Sequence, residues 1–374
     1  MGSVELPDYQ SKSLALVNPT PEEQVAVWNM NALAWRGALS HADYLDREIY
    51  LTTVPLACEK GVSHWILVDS TLPPNERQIL ASCESLRKRA LVARNGSTKE
   101  VITHGVGSVF CDPQYRGRKY ASRMMSEMAE KLKEWQTEQY ECKFSILYSD
   151  IGLKFYAGFG WKPFPSTHIA IPPTSEPPRA GEGARPLFSK DLPELCAWDE
   201  SSIRKQLTEA KEGKIHVAII PETDQMRWFH LREEFLCKRI FGVGPGQPYI
   251  KGALAGPAGA RVWAVWTRSY YGPLVPESGN TLHILRLVVE DEASPTNAES
   301  LESILEVARI EAKTWVLNEV ELWNPTAVVK QMVQDTGLPH GEVIRDKESI
   351  ASLMWYGEEK EEVEWVGNEK YGWC

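Results

Sequence analysis

The period of the apolar positions changes along the chain in a way that marks out two similar successions of elements. Leu14 to Val17 is a short apolar run closed by Asn18 and Pro19, which predicts a first strand. Thr20, Pro21 and Glu23 then make a capping box before PEEQVAVWNMNALAW, a helix that Gly37 ends. A second helical segment is expected from about Ser40 to Cys58, with Tyr44, Leu45 and Ile49 on one side. After Gly61, SHWILVD and RQILASCESL have the content of neighbouring strands. Lys88 to Val92, followed by Asn95, Gly96 and Ser97, predicts a hairpin into a central strand ending at Cys111. From Ala121 the period turns helical, with Met124, Met125, Met128, Ala129, Leu132 and Trp135 on one stripe. A buried strand from Phe144 to Tyr148 follows, then a short helix ending at Gly158 or Gly160.

PPTSEPPRAGEGARP has no apolar period and is rich in Pro, Gly and Ser, so it divides the chain into residues 1–171, a linker 172–186 and residues 187–374. In the later part, helices Leu192 to Leu207 and Gln225 to Phe241 flank a strand, Ile215 to Ile220. RVWAVWTRSYY and LHILRLVVE are paired strands, Leu301, Ile304, Leu305, Ala308, Ala312 and Trp315 lie on one helix stripe, and VELW is a strand again. Strand, strand, helix, strand is also the order in the first part. Both are therefore expected to be α+β, mixed α/β units. GVGPG at 242 to 246 follows a helix and reads as a loop, not a phosphate cradle.

The turn Arg116, Gly117, Arg118, Lys119, Tyr120 brings in chemistry. It opens a helix whose first amides point outward unpaired, and three cationic side chains surround them, which suits a phosphate or pyrophosphate; a solvated basic turn is the other reading. At 374 residues and 42.2 kDa the chain has material for two cores. A net charge of -10 disfavours nucleic acid as a partner and leans towards a cationic small molecule or peptide. Seven cysteines without CxxC pairs or nearby His imply reduced thiols and no metal site. No apolar run reaches membrane-spanning length, the first residues lack a signal-peptide layout, and Leu6 stands where a myristoylation signal needs Ser or Thr. A cytoplasmic protein with no membrane partner is expected.

Arg116 to Ala121 resembles motif A of the GNAT acyltransferases, with Lys119 where the family usually has its inner Gly. FSILYSDIGLKFYAGFGWKPF resembles motif B, with Ser149 at the position of the Asn. GSVF, YASRMM, ILYSDIG, KFYA, ELWNP and the closing NEKYGWC together are similar to the fungal L-lysine N6-acetyltransferase group. The resemblance implies a GNAT fold followed by a second, degenerate GNAT-like domain that shapes the acceptor site. That domain has no Arg-Gly turn before its helix at 299 to 315, and its approximate motif B (Asn324, Ala327, Gly337, Leu338) carries Gln331 in place of Tyr.

The resemblance further implies acetyl-CoA as cosubstrate, held by Val109, Phe110, Cys111, Arg116, Gly117, Arg118, Lys119, Tyr120, Ala121 and Ser149. Tyr156 falls on the general acid. Trp35, His41, Tyr44 and Glu84 become candidates for acceptor contact, with a carboxylate at Cys374 as a further one. An alkyl amine with a pKa near 10.4 is almost wholly charged at neutral pH, so a base is required. The position about a dozen residues before the motif A Arg, where some relatives place a Glu, is His104, which reads equally as base or as half-buried structural His. The expected reaction is direct acetyl transfer to a small-molecule amine, free lysine first. A protein lysine, a specialised-metabolite amine and a CoA-binding scaffold without activity remain open beside it.

Overall fold

Thr20 and Glu23 exchange hydrogen bonds in the expected capping box, and the Glu23 carboxylate also accepts from the Asn75 amide and the Arg77 guanidinium. The start of the first helix is thereby tied to the loop beside it. The computed structural model describes residues 6–58, 60–177, 183–210, 213–242, 249–358 and 360–373. In chain order the first elements are β1 (Leu14–Val17), α1 (Pro21–Trp35), α2 (His41–Leu51), β2 (Val62–Asp69), β3 (Ala81–Arg94), β4 (Ser97–Phe110), α3 (Tyr120–Glu134), β5 (Cys142–Ser149), β6 (Lys162–Pro163) and β7 (Thr167–Ile171). Then follow β8 (Arg185–Leu187), α4 (Leu192–Thr208), β9 (Ile215–Ile219), α5 (Thr223–Phe241), β10 (Gly252–Ala255), β11 (Val262–Ser269), β12 (Thr281–Val289), α6 (Asn297–Thr314), β13 (Glu319–Trp323), α7 (Ala327–Thr336), β14 (Gly341–Ile344), β15 (Ile350–Trp355) and β16 (Val363–Trp365).

Two expected elements take a different form. The second helix stops at Leu51 instead of Cys58, because Pro55 bars the residue before it from helical angles and the chain breaks into turns. The two strands expected before the central one are a single strand, β3, whose polar Ser82, Ser85 and Lys88 are buried and so hid its continuity. On α3 the methionine stripe packs inward as expected, with Met124, Met125, Met128 and Leu132 wholly buried against Trp65 and Trp161.

The strands form two sheets of the same plan. One runs β1-β2-β3-β4-β5-β15-β6, the other β8-β10-β11-β12-β13-β7-β14, and along each path there is one parallel pair, β4 with β5 and β12 with β13. The protein is thus two mixed α/β units of one plan, as the doubled element order predicts. The sheets do not separate at the linker, because equivalent strands are exchanged. β15 lies against β5 from Ile350–Ser149 to Trp355–Phe144, while β7 crosses to β13. β9 and β16, from the later half, extend the first sheet beside β3. No helix among the described residues is long and apolar enough to cross a membrane.

The exchange leaves each half with an open strand edge when it stands alone. Residues 1–171 expressed by themselves are expected to aggregate or remain unfolded, as read by circular dichroism and size exclusion. A monomeric fragment with a cooperative melt would contradict the interlocked arrangement.

Candidate active site

β4 and β5 pair only from Ile102–Cys142 to Val106–Leu147, with a slip after the first pair. Beyond that pair β5 continues against β15, whereas β4 bends away. Ser108 takes a left-handed φ of 51°, the pairing with β3 slips between Ser82 and Glu84, and Phe110 finishes opposite Ser82. The strands therefore part, and the gap opens into a cleft of about 290 Å³ with Gly107, Ser108 and Val109 on one wall and Leu147, Tyr148 and Asp150 on the other. α2 covers it with Tyr44, Arg47, Glu48 and Leu51, and the later half adds Trp228, Arg232 and Trp373.

Glu84 lies at the centre of the polar groups. Its Oε1 accepts a hydrogen bond from Ser108 Oγ at 2.7 Å, and Oε2 is 3.7 Å from His64 Nδ1. Burial, then the nearby Glu48 carboxylate, pushes the Glu84 pKa up to about 7. The same burial pushes His64 down to about 4, so the imidazole is neutral. Arg47 is buried, 2.5 Å from Glu48 and 4.6 Å over the Tyr44 ring. Tyr156, on the turn after β5, lines the cleft, and burial first, then the charge of Asp150, raises its pKa and keeps the phenol protonated. Trp35 also lines the cleft and meets the Phe110 ring edge-on at 5.6 Å.

The basic turn leads from the end of β4. Asp112 caps a single helical turn, Pro113–Tyr115, and α3 starts after Lys119. Gly117 has φ 80° with open space where a Cβ would stand, and Lys119 has φ 63°. Lys119 thus holds the left-handed angle for which the motif usually keeps Gly, and no side chain caps the α3 amides behind it. Arg116 and Arg118 are exposed beside them; the Arg116 Nε donates to the Cys111 carbonyl at 3.1 Å. Tyr120 has only its backbone to offer, since its buried hydroxyl donates to the Pro7 carbonyl at 2.6 Å. Ala121 begins the helix. Cys111 donates to the Leu80 carbonyl, and burial raises its thiol pKa, which argues against a nucleophilic role.

Four expected residues are placed elsewhere or not described. His104 is fully buried on β4 with Nε2 3.0 Å from the Trp135 carbonyl, away from the cleft, and burial pushes its pKa down to about 4; it is a structural histidine and the base assignment fails. His41 is exposed at the start of α2, bonded to Asn29. Ser149 turns its hydroxyl back to the Gly152 carbonyl at 2.7 Å, closing its own loop instead of facing the cleft. Cys374 lies outside the described residues, as do 243–246 of the Gly-rich loop. Conversely, Arg47, Glu48, His64 and Arg232 were not anticipated. Tyr44, Arg47, Glu48 and Leu51 recur at i, i+3, i+4 and i+7, so an inward stripe on α2 carrying an ion pair was the available signal.

Residues 75–164 match the family described as Acetyltransferase (GNAT) domain, and residues 168–374, more than half of the chain, match the LYC1 GNAT-like C-terminal domain. A lysine acetyltransferase of Yarrowia lipolytica is 24% identical, with 95% of this chain and 98% of that one covered. An uncharacterized protein of Saccharomyces cerevisiae is 23% identical, covering 92% and 93%. Among solved structures, a GCN5-related N-acetyltransferase from Anabaena variabilis superposes with a TM-score of 0.52 at 13% identity, covering 91% of this chain and 72% of that one. A putative acetyltransferase from Pyrococcus horikoshii superposes over both whole chains with a TM-score of 0.52 at 10% identity. These likenesses show the fold.

The angle at Lys119 is testable. Lys119→Gly is expected to keep or raise stability by up to about 1 kcal/mol, and Lys119→Val to lower it by about 2 kcal/mol, in urea unfolding. Equal midpoints for the two variants would contradict a left-handed residue there.

Proposed function

This chain belongs to the GNAT acetyltransferases that carry a LYC1 GNAT-like C-terminal domain, and we propose that it moves the acetyl group of acetyl-CoA directly onto the side-chain amine of free L-lysine. The observation that carries the reading is Glu84: a carboxylate with a near-neutral pKa that faces the gap between β4 and β5. The lysine acetyltransferase of Yarrowia lipolytica, covered almost end to end, supports the acceptor.

The residues fit the cosubstrate. The free amides at the start of α3, the left-handed Lys119 and the open Gly117 suit a diphosphate, with Arg116, Arg118 and Lys119 adding charge. Residues 107–109 have no β5 partner in register, so this backbone is available to the pantetheine arm and to the developing oxyanion.

In the transfer, Glu84 takes a proton from the substrate ammonium, directly or through one water, and leaves a neutral amine. The amine nitrogen bonds to the acetyl carbon as the carbon–sulfur bond breaks, and Tyr156 gives its proton to the departing thiolate. Tyr156 recovers a proton from the amide nitrogen or from solvent. A phenol kept protonated by burial suits an acid, and an ionised carboxylate suits a base. The cleft also matches its substrate in charge, since Glu84, Glu48 and Asp150 line the cavity that an alkyl ammonium must enter.

Thiol release is expected with free lysine and to a lesser extent, or not at all, with other amino acids, polyamines and a histone-tail peptide. Release with the peptide alone would move the acceptor to proteins, and CoA binding without release would mean a scaffold. For the base, kcat/KM is expected to rise through about pH 7 as Glu84 loses its proton. Glu84→Gln should lower the rate by about 10²–10⁴-fold and abolish that limb, leaving only the rise set by the amine. For the acid, Tyr156→Phe is expected to reduce kcat by about 10²-fold with KM nearly unchanged. Full turnover in that variant would remove the assignment.

A further inference from the structure

A second cavity of about 660 Å³ lies against the catalytic cleft and shares Trp35, Asp150, Arg232 and Trp373 with it. Its floor comes from the later half, and it gathers three basic side chains short of hydrogen-bond partners; burial pushes the Lys370 pKa down to about 7, and a bound carboxylate would hold its proton. Arg232, at the junction of the two cavities, makes no hydrogen bond or ion pair with any described residue. Lys370 is 3% exposed, with its ammonium 4.1 Å from the Trp323 ring centre and 4.4 Å from that of Trp373; it donates no hydrogen bond among the described residues. Arg345, 7% exposed, gives Nε to the Ser349 carbonyl and Nη1 to the Thr167 carbonyl, but its buried Nη2 has no partner. A buried cationic donor without an acceptor costs free energy that a bound anion recovers.

Five acids also line the cavity, Asp150, Glu319, Glu321, Asp346 and Glu348, and two of them have fixed partners. Glu321 lies 3.2 Å from His283 and accepts from the Trp323 indole at 2.7 Å, and Asp150 accepts from the Ser349 amide at 2.9 Å. No cluster of His, Cys, Asp and Glu among the described residues is arranged to hold a metal ion. The cavity combines cations short of hydrogen-bond partners with flanking carboxylates, which is complementary to a zwitterion.

We propose that this cavity receives the α-amino carboxylate end of the acceptor, with the carboxylate on Arg232 and Lys370, while the side-chain amine reaches Glu84 through the shared opening. The inference rests on the acetyl-transfer reading for the amine, but the cavity itself can be tested without turnover. Carboxylate recognition here makes the enzyme selective for free amino acids: a chain-internal lysine has no α-carboxylate to offer, and a diamine has none either.

Norleucine carries the amino-acid end without a side-chain amine, so it probes the cavity alone. Because Trp35, Trp323 and Trp373 line the cavity, saturable change of tryptophan fluorescence is expected with norleucine and not with hexylamine. Arg232→Gln should weaken norleucine about 10-fold or more, and Arg232→Lys should restore part of the loss, with unchanged melting of both variants as the check on folding. In thiol release, the wild type is expected to favour lysine over cadaverine by about 100-fold in kcat/KM, and Arg232→Gln should bring that ratio towards one, chiefly through KM for lysine. Norleucine binding without any thiol release would sustain the cavity and sink the acceptor reading. Equal rates for lysine and cadaverine in the wild type, or no norleucine binding, would overturn the cavity.

Discussion

Two parallel strands that pair over a short stretch, from Ile102 to Val106 on β4, and then part are the constraint on which this site depends. A parallel ladder normally continues until one strand ends, because each interruption leaves backbone groups unpaired. Here β5 continues on its other side with β15, while β4 is bent off by the left-handed Ser108 and returned to β3 at Phe110. The separation makes room for a substrate arm between two strands, and the same bend brings Ser108 Oγ onto Glu84. The end of β4 then delivers the basic turn directly to the mouth of the gap. One backbone irregularity therefore sets the cleft, Glu84 and the basic turn relative to each other.

The exchanged strands explain why the later half is needed although its own counterpart of the gap lacks a basic turn. β15 supplies the partner that lets β5 run straight while β4 departs. The following segment is pinned by long-range bonds: Arg286 joins Asp199 and Glu369, Asn324 Nδ2 donates to the Asn368 carbonyl, Tyr371 Oη donates to the Ile219 carbonyl, and Lys88 donates to the Gly372 and Trp373 carbonyls. Asn324, at the motif B position of the later unit, thus serves as a structural clamp and not as a ligand. The clamp carries Trp373 to the wall shared by both cavities.

How much of this was legible in the sequence follows from which signals are local. The methionine stripe of α3, the capping box of α1 and the doubled element order are periodic or nearest-neighbour features, and each appears as read. The strand exchange is not local: VELW and SLMW look alike as apolar strands, and nothing in their periodicity says which sheet they join. The proposed base was sought on the wrong strand for a related reason. Counting back from Arg116 assumes an unbroken strand, but the bend at Ser108 and the slip opposite Ser82 turn the register, so that the carboxylate facing the gap comes from β3. Arg232, over a hundred residues after the basic turn, is tied to the cleft only through tertiary packing of α5 on α2.

The identity of the base can be argued from the sign of one physical effect. Burial disfavours charge, so it raises a carboxylic acid and lowers an imidazolium. His64 and Glu84 share this cleft and the same desolvation, yet the first falls to about 4 and the second climbs to about 7. The order of their proton affinities is thereby reversed from that in water. Taking a proton from the same ammonium is then easier for Glu84 than for His64, although the two groups lie close together. The neighbouring charges keep this carboxyl in a useful range: Glu48 pushes its pKa up while Arg47 and Arg232 draw it down. A more isolated acid in this pocket would stay protonated, and one paired directly with arginine would bind its proton too weakly to accept one from an amine.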